Sequence, residues 1–348
     1  MPTVLHVLPH RGGGAETYID VLGRLDGFDH GRAALSRGPT PLSAAASLPT
    51  GYPGLVRAAR RADIVHAHGD VAAALALALL RGRPSVVTTH GLHFLRRAEG
   101  ARRAVAERAI GAVARAATRI VCTSYTEHEE LTALLSPALA PKLVTVRNGI
   151  ELPAVVSSAD RAAARAALGV AQADVVALFL GEMSERKGVL VAAAAAARAR
   201  ADGAPVVLLV AGEGPQAGEL RRRAADGVRP LGFCSDVERL LRAADLFVAP
   251  STREGLSYAV LEAMGHGLAM VVSDGAGNPE AVGDAGVVVR AGDVGGFCDA
   301  LASLARDGAE RRRLGAAARE RARTAFSVEA MLEGTRDVYA AVLETQHG

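Results

Sequence analysis

Tryptophan is absent from this chain, and Phe and Tyr together make up only 3% of it. Its cores must therefore be filled by Ala, Val and Leu, and a composition that is 50% hydrophobic supplies them. Cysteine is scarce: Cys122, Cys234 and Cys298 are odd in number and far apart. Neither a disulfide framework nor a CxxC zinc pattern can be built from them, so a reduced, cytoplasmic setting is expected. Charge is nearly balanced, with 40 basic and 37 acidic residues and a net charge of +3. The excess is scattered Arg with no Lys/Arg block, which argues against a nucleic-acid partner. Long apolar runs are missing too. The longest without Gly or charge, residues 71–80, falls well short of the roughly 20 residues a membrane-spanning helix needs. The opening MPTVLHVLPHRGGG has no basic leader and reads as a first strand, so no targeting segment is expected.

What is present is a regular alternation. Short runs rich in β-branched residues predict strands at 3–8, 63–67, 84–89, 119–123 and 143–147, then at 175–180, 205–211, 245–249, 268–273 and 286–289. Most are continuously apolar, as strands covered on both faces must be. Helix-length segments between them imply right-handed crossovers and parallel sheets. The strand series occurs twice, separated by NGIELPAVVSSAD (148–160), which reads as a linker. The expected architecture is α/β, with two Rossmann-like, doubly wound domains at 1–155 and 156–326 and a ligand cleft between them. A final helical segment, 327–348, could pack on either domain, including back on the first.

The strongest chemical signal is STREGLSYAVLEAMGHG (251–267), directly after a predicted strand. A helix starting near Gly255 would offer the amides of Leu256, Ser257 and Tyr258 to an anion. Glu262 lies inside that helix among apolar neighbours, where a carboxylate is costly unless something bonds to it. A diphosphate at the helix start, with ribose hydroxyls on Glu262, explains both features. LFLGEMSERKGVL (178–190) places Arg186 and Lys187 in a strand–helix turn, where cations can neutralise phosphate. VAGEGP (210–215) carries Gly212 and Gly214, which suit close backbone approach to a ligand or a tight turn with no ligand contact. In the first half, HRGGGAE sets Gly13 and Gly14 between strand and helix. Neither glycine motif has G-x-G-x-x-G spacing, which disfavours a dinucleotide. His66, His68, His90 and His93 fall near predicted strand ends. With no acidic partner and no helical i,i+4 His pair, metal is not expected; contact with sugar or acceptor is expected instead, above all from His90.

Together these segments resemble glycosyltransferase family 4 over nearly the whole chain. The resemblance rests on GGGAE after the first strand, RNGI at 147–150, the Lys187-Gly188 turn, GFCSDVERLLRAADLFVAPS (232–251) and the Glu254-x7-Glu262 pair. It implies the two-domain GT-B fold and metal-independent transfer, with retention of configuration, from a nucleotide-diphosphate sugar used as co-substrate. No resident cofactor or metal is implied. Carried over by residue, Lys187 binds the donor phosphates and Glu262 the ribose. Glu254 and the amides from Leu256 to Tyr258 hold the sugar and diphosphate. Gly13 or Gly14 approaches the diphosphate, and His90 touches the transferred sugar near the reacting carbon. One position departs from the family pattern: Glu182 stands where the family usually has Arg. Either Arg186, four residues on in the same turn, neutralises it and shares the phosphates with Lys187, or Glu182 faces the sugar. The first is favoured by that spacing. The acceptor, whether a small molecule, a glycan or a lipid-linked group, is not legible. The basic stretch 94–119 suits a solvated helix better than an inner-membrane surface, which stays optional. The alternatives are a nucleotide-sugar epimerase of the same architecture and a non-catalytic nucleotide-sugar-binding protein.

Overall fold

The computed structural model describes residues 1–9, 14–35, 52–275 and 277–345. They form two compact units, one of Met1–Gly149 with Val328–Gly348 and one of Ile150–Ser327. The first holds six strands: β1 (Thr3–Leu8), β2 (Asp29–Ala34), β3 (Ile64–His68), β4 (Ser85–Thr88), β5 (Arg119–Cys122) and β6 (Leu143–Thr145). All pair in parallel, in the order β2-β1-β3-β4-β5-β6. The second holds β7 (Val175–Leu180), β8 (Val206–Ala211), β9 (Val228–Gly232), β10 (Leu246–Ala249), β11 (Ala269–Ser273) and β12 (Gly286–Val289). These are also parallel, in the order β12-β11-β10-β7-β8-β9.

Strand order reverses between β1 and β3 in the first sheet and between β7 and β10 in the second. At such a reversal the loops leaving the two strands' carboxyl ends turn to opposite faces, and a crevice opens between them. Each sheet therefore has one topologically marked place for a ligand.

Small side chains do the packing that aromatics do elsewhere. The helix Val189–Ala201 lays Ala192, Ala195, Ala196 and Ala199, all at 0% exposure, into the core over β7 and β8. The helix Val328–Glu344 packs on the first unit, where the buried Tyr339 hydroxyl meets His66 Nδ1 at 2.7 Å.

Two strands escape the apolar-run pattern, β2 (DHGRAA) and β9 (VRPLG). Each is the outermost strand of its sheet. An edge strand needs no continuous apolar run and tolerates a proline, here Pro230. Among the described residues no helix is long and apolar enough to cross a membrane. The basic stretch 94–119 is divided into the helices His93–Arg97 and Gly100–Ala116, followed by β5. Its Arg96 is turned inward, 2.8 Å from Glu130.

Candidate functional site

The second unit's reversal point is flanked by the loop after β7 and the loop after β10. They carry the two signals read from sequence, Arg186-Lys187 and Glu254. Lys187 Nζ lies 2.6 Å, and Arg186 Nη1 2.7 Å, from the same Glu254 oxygen, Oε1. Glu254 is 5% exposed, so two cations converge on one buried carboxylate. Arg186 also reaches Glu182 Oε2 at 3.2 Å, and Ser184 Oγ donates to that oxygen at 3.1 Å. The pairing of Glu182 with Arg186 in one turn is thus present in the fold. The loops are further tied by Thr252 N donating to Arg186 O.

Glycines make this close approach possible. A Cβ on Gly212, at φ +137°, would lie 1.9 Å from the Gly181 carbonyl oxygen; one on Gly188, at φ +70°, would lie 2.5 Å from that of Pro250. Both meet protein backbone, so the loops need these glycines whether or not a ligand is bound. A sequence reading of Gly212 as a ligand contact is therefore not required to explain it.

The helix that follows is shorter than expected. It spans Tyr258–Gly265 and does not start near Gly255. Residues 251–257 are held as a loop instead: Glu254 O accepts from Gly277 N, and Leu261 N→Ser257 O is the first helical bond. Ser257 is the N-cap, in an extended conformation, and its hydroxyl caps nothing. Of the three expected amides only that of Tyr258 belongs to the helix; Leu256 and Ser257 precede it. Glu262 is half-buried and makes no side-chain hydrogen bond or ion pair among the described residues. Burial first, and the nearby Glu238 second, raise its carboxyl above the usual range.

Sequence reasoning missed the segment that braces this loop from behind. Ser273 Oγ donates to Ser251 O, and Asn278 Nδ2 donates to Ala249 O at 3.3 Å and to Ser273 Oγ at 3.0 Å. A Cβ on Gly277 would lie 2.2 Å from Gly255 O. The signal was SDGAGNPE after β11, another strand, glycine turn and helix in succession.

In the first unit, Gly14 opens the helix Gly14–Leu22, while Gly13 lies outside the described residues. His90 follows β4 at the sheet's carboxyl edge. It has φ +49°, Gly91 follows at +99° and Leu92 at +48°. Non-glycine residues held left-handed cost on the order of 1–2 kcal/mol each. Strain of this kind collects at functional sites. Burial, then His93, lowers the His90 pKa to about 3, so the ring is neutral at pH 7. Glu127, also missed, fastens the preceding residue: its Oε2 accepts from Thr89 Oγ1 at 2.5 Å and from Thr123 N and Oγ1. Its signal was Ser124-x-x-Glu127, a capping box, and Ser124 Oγ does accept from Glu127 N.

Known proteins match both units. Residues 7–153 match Glycosyltransferase Family 4, and residues 174–307 match Glycosyl transferases group 1. Glycogen synthase of Mycobacterium tuberculosis is 32% identical over 296 residues, covering 81% of this chain and 69% of that enzyme. Alpha-maltose-1-phosphate synthase of Mycolicibacterium smegmatis is 33% identical over 318 residues, covering 83% and 81%. Among solved structures, Anabaena HepE in complex with UDP superposes with a TM-score of 0.81 at 20% identity, covering 98% of this chain and all of that one. Sucrose-phosphate synthase of Thermosynechococcus elongatus has the same score and identity, covering 99% and 100%. With its two parallel six-stranded sheets arranged as in GT-B enzymes, the chain belongs to glycosyltransferase family 4 and is a glycosyltransferase.

Proposed function

We propose that this enzyme transfers a hexose from a nucleoside-diphosphate sugar with retention of configuration and without a metal ion. The observation that carries the reading is the meeting of Arg186 and Lys187 at buried Glu254, beside the second sheet's reversal point. As the sugar leaves, negative charge grows on the diphosphate. Fixed cations together with the amide of Tyr258 lower the energy of that charge where it appears. Two cations in place supply what a divalent ion would otherwise supply.

Glu262 takes the ribose. A half-buried carboxylate without a protein partner gains the bonds it lacks when hydroxyls arrive. Glu254 is a poor candidate nucleophile, because its Oε1 already holds two cations within 2.7 Å. That favours attack by the acceptor on the face the diphosphate leaves, which preserves configuration. On this reading Glu254 serves by orienting the cations and Gly212 by shaping their loop, while His90 contacts the sugar. Gly13 or Gly14 would approach the diphosphate.

Complexes of the structural neighbour HepE contain UDP and UDP-glucose, which supports a donor of this class. Relatives named for glycogen, maltose 1-phosphate and D-inositol 3-phosphate differ widely in acceptor. The acceptor is a small molecule, a glycan or a lipid-linked group.

The test is transfer from a panel of nucleotide sugars in excess EDTA, with nucleotide release and product configuration followed by NMR. Activity should persist and the product should keep the donor's anomeric configuration. A loss of about tenfold or more that Mg²⁺ restores, equivalent to at least ~1.4 kcal/mol of barrier, or an inverted product, overturns the proposal.

A further inference from the structure

The turn that carries His90 is gripped at both ends by carboxylates from neighbouring strand ends. On its own it has little to hold it. Thr89, His90, Gly91 and Leu92 are closed by one long bond, Leu92 N donating to Thr89 O at 3.4 Å. Two of these residues, His90 at φ +49° and Leu92 at +48°, adopt the left-handed conformation that a side chain disfavours. Such a turn persists only where its surroundings impose it.

Glu127 imposes the entry. Its side chain is at 0% exposure in the helix Tyr125–Leu134, which follows β5. Its Oε2 accepts from Thr89 Oγ1 at 2.5 Å, from Thr123 N at 2.8 Å and from Thr123 Oγ1 at 2.9 Å. One oxygen thus ties the end of β4 to the end of β5. Oε1 has no hydrogen-bond partner among the described residues. Every bond found for this buried carboxylate therefore lies at those two strand ends.

Asp70 imposes the exit. It opens the helix that follows β3. The helix His93–Arg97 has Leu92 as its N-cap, and a leucine side chain has no oxygen to offer the first amides. Asp70 supplies one from outside: its Oδ2 accepts from Phe94 N at 2.7 Å and from Leu95 N at 3.1 Å. Its Oδ1 accepts from Val71 N at 3.0 Å, within its own helix. Between the two fastenings the ring itself is held. His68 Nδ1 lies 3.0 Å from His90 Nε2, and the Tyr18 ring stands edge-on with its centroid 4.8 Å away.

A loop whose sole duty is to join a strand to a helix has simpler forms. It would carry glycine or asparagine at the left-handed positions and serine or aspartate at the cap. This chain instead keeps histidine and leucine there and enlists two carboxylates from other elements. We infer that Glu127 and Asp70 are positioning residues for sugar transfer, which hold the His90 ring at the sheet's carboxyl edge by fixing its turn from both sides. This role rests on His90 as the sugar contact proposed above. Placement matters because a group about 1 Å out of line can cost up to roughly 100-fold in rate.

Glu127 is a poor place to cut the link, since its loss also frees Thr123. Thr89→Val removes the hydroxyl that joins Glu127 to the turn and nearly keeps the side chain's shape, whereas Thr89→Ser keeps the hydroxyl. Asp70→Ala removes the outside cap. The measurements are kcat on the whole enzyme, with the donor that wild type prefers in the panel above, and the Kd of the bare nucleoside diphosphate. Thr89→Val and Asp70→Ala should each lower kcat roughly tenfold or more and leave that Kd near wild type. Thr89→Ser should recover most of the loss. In a His90→Ala background the same two changes should lower kcat no further, because the group they position is gone. Changes that act independently would instead multiply their effects. Full kcat in both variants, with only the melting temperature lowered, would make the carboxylates structural and overturn the inference. Undiminished effects in the His90→Ala background would overturn it too. Should Asp70→Ala not fold, Thr89→Val decides by the same two outcomes. If His90→Ala transfers like wild type, it is the sugar-contact reading of His90 that has failed, and this role falls with it. A wild type that turns over no donor of the panel sinks the donor reading first.

Discussion

Glu254 is 5% exposed and the side chains of Arg186 and Lys187 are 18% and 17% exposed, so the three act as one unit. Removing the carboxylate leaves two cations facing each other without their shared partner. Breaking a buried pair from one side costs about 3–5 kcal/mol. Glu254→Ala should therefore lose stability as well as activity. Arg186→Ala and Lys187→Ala should instead weaken nucleoside-diphosphate binding by about 10- to 150-fold, the range for losing a charged hydrogen bond. Glu182 is half-exposed and shares Arg186 with Glu254, so Glu182→Gln should change affinity by only a few-fold, a surface pair contributing about 0–1 kcal/mol. Calorimetric titration with the bare nucleotide orders these variants. Equal affinities for wild type, Arg186→Ala and Lys187→Ala would remove the turn from the donor site.

At the scale of elements, the loops after β7, β8 and β10 fit only because glycines let backbones nearly touch. Gly212→Ala places a methyl group against the Gly181 carbonyl and demands a φ of +137° from an L-residue. Overpacking and backbone strain of about 1–3 kcal/mol each should lower the melting temperature, with no nucleotide present. Gly203→Ala is the control. It also has positive φ, +79°, but nothing lies within 4 Å of the new Cβ, so the cost should be about 1–2 kcal/mol. If the two variants melt together, close backbone approach is not why Gly212 is glycine. These elements also show what a sequence can reveal. Ten of the twelve strands were legible, because strands covered on both faces must be continuously apolar. β2 and β9 were not, because an edge strand is under no such demand. Lys187, Arg186 and Glu254 stood out by charge beside strand ends. Their convergence on one oxygen did not, since it depends on β10 lying next to β7 across 60-odd intervening residues. The start of the helix at Tyr258 was also hidden, because the bonds that delay it come from Gly277 and Arg186, distant in sequence. His66, His68 and His90 were visible singly, but His6 and His30 were not, and the contacts of His6 with His68 and His30 follow from strand order, which brings β1 between β2 and β3.

At the scale of the whole molecule, three buried histidines make the first unit sensitive to acid. His6, His66 and His68 are fully buried, and burial holds the pKa of each well below the ordinary value near 6.5. The unfolded chain therefore binds more protons than the native one as pH falls below about 6.5, and stability falls with it. At pH ~5.5 each such histidine favours unfolding by about 1.4 kcal/mol, or about 4 kcal/mol for three. That is a large share of the 5–15 kcal/mol typical of a domain. Urea unfolding followed by circular dichroism, at pH ~7.5 and ~5.5, should show one transition moving sharply to lower denaturant. Coincident midpoints would mean that these rings are not neutral in the native state.

The return of the helix Val328–Glu344 to the first unit has a consequence for how the chain assembles. The second unit is an unbroken stretch, Ile150–Ser327, inserted into the first. Tyr339, whose hydroxyl completes the bonding of His66, is separated from its partner by 273 positions. A ribosome adding about 5–20 residues per second needs on the order of ten seconds or more to travel from the end of β6 to that tyrosine. Until then the earlier-made half lacks the helix that covers His66, while the later-made half has every residue it needs once Ser327 is added, before Tyr339. The part synthesised second is thus the first of the two that can finish folding, and the strands β1 to β6 wait for the helix Val328–Glu344.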